Sequence, residues 1–168
     1  MILEAVGPFR SQDVAFELAV EPWELRGYAR LRRRIFCEEQ RLFEGTDRDE
    51  VDERAIPLVA LSRVAGVPDE VVGVVRIWQE DTPGEWWGGR LGTHPDHRRN
   101  GTIGPGLIRL AVSTACRRGC RRFRATVQVR NVPLFERLCW AVTGEAVVSG
   151  QPHALMEADL SHYAGGLQ

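Results

Sequence analysis

The residues Arg90-Leu91-Gly92-Thr93-His94-Pro95-Asp96-His97-Arg98-Arg99-Asn100-Gly101-Thr102-Ile103-Gly104 have the make-up of an anion-binding turn. A short strand over 90–94 runs into a loop holding Gly101 and Gly104, and the loop opens a helix. Such a loop aims successive backbone N–H groups into one concavity beside the positive end of the helix dipole. The glycines permit close approach, and Arg98 and Arg99 add charge at the same spot. The ligand that matches is a phosphate or pyrophosphate. Neither GxGxxG nor GxxxxGK[ST] occurs, and the turn lies mid-chain rather than after the first strand.

Other chemistries find less support. All 22 basic residues are Arg, so neither a lysine Schiff base nor a phosphate-loop lysine is available. Cys37, Cys116, Cys120 and Cys139 lack finger-type spacing, and the four His form no HExxH, so no metal is expected. The thiols read as small buried hydrophobes in a reducing compartment. Charge is segregated: ten Arg and one acid, Glu136, lie between Arg98 and Arg137, whereas Glu38 to Glu53 holds eight acids against Arg41 and Arg48. One half suits an anion and the other a cation, or both are solvated faces.

The elements that must position these groups follow from spacing. Strands are expected over 14–21, 56–64, 71–79, 90–94, 122–129, 146–148 and 153–160. Helices are expected over 23–40, where Leu25, Tyr28, Leu31 and Ile35 repeat at helical spacing, and over 104–118 and 132–140. Ala65-Gly66-Val67-Pro68-Asp69 makes a hairpin turn, the acidic 44–53 stretch a loop, and 81–89 a Gly/Pro/Trp loop whose Trp86-Trp87 either lines an acceptor pocket or covers the sheet. The order β-α-β-β-β-α-β-α-β-β describes one α/β domain, 1–168, around a mixed sheet. A length of 168 residues, 43% hydrophobic, supports a sizeable core. A net charge of −1 argues against a nucleic-acid binder. Apolar runs are too short to span a bilayer, and no signal-peptide pattern opens the chain, so a cytoplasmic protein is expected.

At this point the chain resembles the GCN5-related N-acetyltransferases (GNAT), whose R/Q-x-x-G-x-G/A loop holds the pyrophosphate of acetyl-CoA. Arg98-Arg99-Asn100-Gly101-Thr102-Ile103 fits with one departure, Ile103 in place of Gly or Ala, with Gly104 one place later. Leu31-Arg32-Arg33-Arg34-Ile35-Phe36-Cys37-Glu38-Glu39-Gln40 is similar to the LR…VF…EQ first helix of a bacterial branch. Asp52-Glu53-Arg54-Ala55-Ile56, Val72-Gly73-Val74-Val75-Arg76, Thr126-Val127-Gln128, Pro133-Leu134-Phe135-Glu136-Arg137-Leu138 and Gly150-Gln151-Pro152-His153 continue the register.

The resemblance implies a mostly antiparallel sheet whose fourth and fifth strands splay around the pantetheine arm. Leu91, Gly92 and Thr93 would hold that arm, and one of their N–H groups would stabilise the oxyanion. Arg98, Arg99, Asn100, Gly101, Thr102, Ile103 and Gly104 would hold the diphosphate. Asn131 is a cofactor contact or a helix N-cap. A protonated amine must lose a proton before attack. Glu39, at the end of the first helix, is the first candidate for substrate binding or base, or else a solvated acid. His153 is the second, or else a strand-start hydrogen bond. The acidic 38–53 segment would attract the cationic amine. Phe135 stands where many relatives carry a Tyr that protonates the departing thiolate.

The expected activity is acetyl transfer from acetyl-CoA to a small amine. Two rivals stand beside it: an acyltransferase resembling the acyl-homoserine lactone synthases, with the basic face docking an acidic carrier, and a CoA-binding sensor. Exposed edges on the last strand would suit a homodimer.

Overall fold

Leu58, Val59, Ala60 and Leu61 are all fully buried, an unbroken apolar run that no one-sided strand would need. They lie in β2 (Ile56–Val64), a strand covered on both faces. Leu58 and Ala60 join one core cluster, and Val59 and Leu61 join another on the opposite face.

The computed structural model describes residues 13–164. The other strands are β1 (Val14–Leu18), β3 (Val67–Gln79), β4 (Glu85–Thr93), β5 (Arg122–Gln128), β6 (Trp140–Val148) and β7 (Gln151–Ala158). They form one sheet in the order β1-β2-β3-β4-β5-β7-β6. Every neighbouring pair is antiparallel except β4 with β5. This is the expected α/β class with a mostly antiparallel sheet.

Helix α1 (Pro22–Arg33) starts on Pro22 and presents Tyr28 and Leu31 to one sheet face, as their spacing predicts. Leu25 of the same expected stripe is 41% exposed, and Val20, placed inward with β1, is 71% exposed. The helix continues as a π-helical turn (Arg34–Glu39), where the Gln40 N–H donates to the Ile35 carbonyl. Helix α2 (Ile103–Arg117) packs on the other face through Leu107, Ile108, Ala111 and Val112. It ends in a left-handed cap at Gly119, φ 86, with Cys120 N–H bonded to Ala115 O and Gly119 N–H to Cys116 O. Helices α3 (Val132–Arg137) and α4 (Leu160–Ala164) complete the described chain.

Four expectations need correction. The hairpin turn is only Ala65-Gly66, both at positive φ, so β3 starts at Val67. Trp86-Trp87 lies inside β4 rather than in a loop, because Gly88, Gly89 and Gly92 hide the strand pattern. Helix α3 stops at Arg137, and Trp140 already belongs to β6, with Cys139 at φ 65 turning the chain between them. The last strand, β7, sits inside the sheet, so the free edge is β6.

Candidate active site

The site begins where two strands part. β4 and β5 pair over residues 85–88 and 122–125 and then separate. On its other side β4 bulges: Val74 pairs with Gly92 and Arg76 with Gly89, so Arg90 and Leu91 together face Val75. Arg90 sits at φ 56 in this bulge. A bulge bends its strand and sharpens local twist, which is what opens the gap. A cavity of about 320 Å³ runs through it, bordered among others by Leu91, Gln128, Asn131, Phe135 and His153. The expected splay is therefore present, and Leu91 lies on it. Gly92 faces the end of α1, where an added Cβ would come 2.7 Å from Ile35 Cδ1.

The loop before α2 is partly free. The N–H groups of Asn100, Thr102 and Ile103 are taken by the His97 carbonyl, Asn100 Oδ1 and the Asn100 carbonyl. Among the described residues, those of Arg99, Gly101 and Gly104 have no partner. Gly101 is exposed, and a Cβ there would meet nothing within 4 Å. The Ile103 side chain is fully buried in the α2 core and stays clear of the loop's outer surface. The departure from the family pattern is thus absorbed by the core: Gly73 of β3 makes room, since a Cβ there would lie 2.8 Å from Ile103 Cγ2. Arg99 is exposed with no acidic partner among the described residues, whereas Arg98 turns back to the Thr93 carbonyl and to Glu39.

These residues fit a nucleotide diphosphate and its arm. Three free amides and one free guanidinium on this loop suit a dianion, the β5-side edge of β4 is unpaired beyond Gly88, and an apolar gap lies next to that edge.

The two candidates for proton transfer fare differently. Glu39 is ion-paired with Arg98. Both border a second cavity of about 550 Å³ with Gln40, Gln128, Arg130 and His153. His153 is buried and borders both cavities. Its Nδ1 lies 3.0 Å from the Gln151 carbonyl. A carbonyl only accepts, so Nδ1 carries the hydrogen and Nε2 of the neutral ring is left as an acceptor. Gln128 pairs in register with His153, and its Nε2 donates to Gln40 Oε1 at 2.8 Å, bridging β5 to the end of α1 between the two cavities.

Asn131 makes no side-chain cap bond to α3, although it holds the N-cap position, and it borders the gap. Phe135 is buried there, edge-on to Trp140 at 5.1 Å. Neither tyrosine replaces it: Tyr28 bonds Arg32 and Tyr163 bonds the Leu138 carbonyl. Trp86 packs in the core, and Trp87 borders the cavity beneath the Arg124 guanidinium, 4.6 Å away.

Three acids of the 38–53 segment are tied to arginines. Asp47 accepts from Arg32 Nε at 2.7 Å and Arg90 Nε at 3.1 Å. Asp49 takes a two-pronged bond from Arg76 at 2.7 and 2.9 Å. Asp52 takes one from Arg32 at 2.6 and 3.1 Å. Burial opposes the charge on Asp52, but Arg32 and Arg76 outweigh it and hold its carboxyl well below the usual carboxylate range. Three carboxylates thus neutralise three guanidiniums behind the β4 bulge. These three acids are already paired, whereas Glu38, Glu44, Glu50 and Glu53 of the same segment are exposed.

Sequence reasoning missed Arg90, Gln40, Phe43 and Trp78 as site residues. Arg90 anchors the bulge through Asp47, and its guanidinium lies 4.1 Å over Phe43. The glycines at 88, 89 and 92 were the available signal, since they mark a strand bent around something. Among the described residues no cluster of His, Cys, Asp and Glu suits a metal, and no helix is long and apolar enough to cross a membrane.

A mixed, mostly antiparallel sheet that splays between its fourth and fifth strands, flanked by helices on both faces, defines the fold class. The acetyltransferase (GNAT) family matches residues 16–139, and the chain belongs to it. No curated protein matches the sequence. Among solved structures, Escherichia coli ElaA aligns with a TM-score of 0.72 at 18% identity, over 88% of this chain and 99% of ElaA. An aminoglycoside 6'-N-acetyltransferase complexed with coenzyme A aligns at 0.69 and 16%, over 88% and 97%. BjaI, a CoA-dependent acyl-homoserine lactone synthase with SAM and isopentyl-CoA, aligns at 0.64 and 21%, over 84% and 79%. At these identities the likeness is one of fold.

Proposed function

We propose that the protein is an N-acetyltransferase that moves an acetyl group from acetyl-CoA to a small amine by direct attack, with residues 1–168 acting as one catalytic domain. The observation that carries this reading is the gap where β4 and β5 part, bordered by Leu91, Asn131 and the buried ring of His153, in a chain whose loop after β4 keeps the amides of Arg99, Gly101 and Gly104 free.

In this reading Arg99, Gly101 and Gly104 hold the diphosphate, and Asn131 and the unpaired edge of β4 at Leu91 and Thr93 guide the arm. A backbone N–H of the bulge stabilises the charge that develops on the thioester oxygen. His153 Nε2 takes the proton from the amine as nitrogen attacks. The amine arrives from the second cavity, where Glu39, tied to Arg98, shapes the wall rather than receiving the proton. With Phe135 unable to give a proton, the sulfur leaves as a thiolate and is protonated by water, which its ordinary pKa of about 8.5 permits. Four free thiols support placement in a reducing cytoplasm.

Phe135 favours a second reading, a CoA-binding sensor that releases no thiol. A third, a carrier-protein-dependent acyltransferase resembling the acyl-homoserine lactone synthases, is supported by the unpaired arginines of the 98–137 stretch, among them Arg109, Arg117 and Arg130. One experiment separates the three: calorimetry with CoA and acetyl-CoA, then thiol release with an amine panel and with acyl-carrier protein as rival donor. Micromolar-class CoA binding and amine-dependent thiol release are expected. Binding without release sinks the enzyme reading, and absence of binding sinks all CoA-dependent ones.

A further inference from the structure

The main cavity does not end at the gap. From Leu91 it continues past the bulge to Trp87, Gly88 and Gly89, beside the closed end of the splay. There Phe36, Leu42 and Phe43, from the end of α1 and the loop after it, and Trp78 of β3 border the same space. The charged groups nearby are paired: Arg76 and Arg90 with Asp47, Asp49 and Asp52, and Arg124, over the Trp87 ring, with Glu85. Leu91 and Gly88 are three residues apart, which is about 10 Å of strand at roughly 3.3 Å per residue. An acetyl group ends one carbon beyond its carbonyl and leaves this chamber unfilled.

We infer that the aromatic chamber at Phe36, Phe43, Trp78 and Trp87 receives an apolar acyl chain longer than acetyl, of roughly four to eight carbons on the strand-length estimate above. The inference rests on the proposed CoA-binding site and goes beyond the acetyl donor named there, to a longer acyl chain. Two observations set the chamber apart from an acceptor pocket. It is continuous with the gap that takes the arm, whereas the second cavity is bordered by polar and charged side chains, among them Glu39, Gln40, Arg98 and Arg130. It is also walled by aromatic and aliphatic side chains that offer an ammonium ion no free acid. The transfer itself is unchanged: the acyl C–S bond breaks, a C–N bond forms, the amine proton goes to His153, and the sulfur keeps the electron pair until water protonates it.

Gly89 is the natural probe. A Cβ built there lies 3.5 Å from the Trp78 ring, an ordinary contact, so a larger side chain enters the chamber at the expense of its volume. Calorimetry on the full chain with CoA, acetyl-CoA, hexanoyl-CoA and octanoyl-CoA tests the inference without knowledge of the acceptor. Hexanoyl-CoA is expected to bind roughly tenfold more tightly than acetyl-CoA, since each added methylene in an apolar pocket counts. Gly89→Val should bring that ratio to about one, and Phe43→Ala should move the preferred chain to octanoyl by about tenfold. Equal or weaker binding of hexanoyl-CoA by the unaltered protein overturns the inference and leaves acetyl transfer standing. Failure of CoA itself to bind defeats the underlying reading instead. Should either variant not fold, the donor series on the unaltered protein decides alone.

Discussion

Glu39, the last residue of the π-helical turn that ends α1, is ion-paired with Arg98 at the head of the loop before α2. Pattern reading had assigned the two to opposite ends of the reaction, one to the amine and one to the diphosphate. In the fold they satisfy each other. The pair ties α1 to the anion loop at the rim of the second cavity.

Glu39→Gln should therefore act on positioning. Both partners are partly exposed, so each substitution is expected to cost less than about 1 kcal/mol of stability. Turnover should fall by less than about tenfold, because a general base commonly contributes 10²-fold or more. Stopped-time thiol-release assays would check this, and a loss of several hundredfold would restore Glu39 as the base.

His153→Gln is expected to lower kcat by about 10²-fold or more, with the KM for acyl-CoA nearly unchanged, since Nε2 handles the amine proton and not the nucleotide. A full kinetic comparison over both substrates reads the split. A change confined to KM would remove His153 from proton transfer.

Gly101→Glu puts an anion where the diphosphate belongs. The position is open, so folding should be untouched. CoA affinity should drop by roughly tenfold or more on charge repulsion alone. Calorimetry with unaltered thermal stability is the check, and undiminished affinity would move the anion site elsewhere.

Phe135→Tyr adds the missing acid at a buried position bordering the gap. If the thiolate leaves unassisted, a nearby phenol should raise kcat about tenfold, at the low end of what a positioned acid supplies. No change in kcat would mean that thiolate departure does not limit the rate.

Acid should unfold the protein through the cluster behind the bulge. The Arg76 hydrogen bond lowers the Asp49 carboxyl, and the Arg32 and Arg76 contacts, against burial, lower that of Asp52. A carboxylate whose folded pKa is lowered contributes stability that is fully present above its unfolded value of about 3.9 and is lost as pH falls through the folded value. Stability from this cluster should be flat above about pH 5 and decline below about pH 4. Asp52→Asn leaves the buried Arg32 with Asp47 as its remaining acidic partner and should cost about 2 kcal/mol near neutrality, the scale of a hydrogen bond to a charged group. It should also flatten the acid slope. Chemical denaturation from pH 3 to 8 would show both.

Local spacing was enough to place β2, β5, α2 and the hairpin, because strand alternation, helical repeat and turn glycines are written within a few residues of one another. It also marked the loop from Arg98 to Gly104, whose proposed role depends on its own backbone. Which of its amides stay free was decided by Asn100, whose side chain and carbonyl take those of Thr102 and Ile103. The fate of Ile103 was decided by Gly73 across the sheet. Asp47, Asp49 and Asp52 read as a charged surface in one dimension and became an arginine-paired cluster in three. Their partners Arg32, Arg76 and Arg90 lie 15 to 43 residues away. Charge and apolarity along a chain specify what must be compensated, but only the closing of the sheet selects the compensating group. The gap, the bulge at Arg90 and the position of His153 at the border of two cavities depend on such distant meetings, and for that reason the geometry of the candidate site belongs to the tertiary structure.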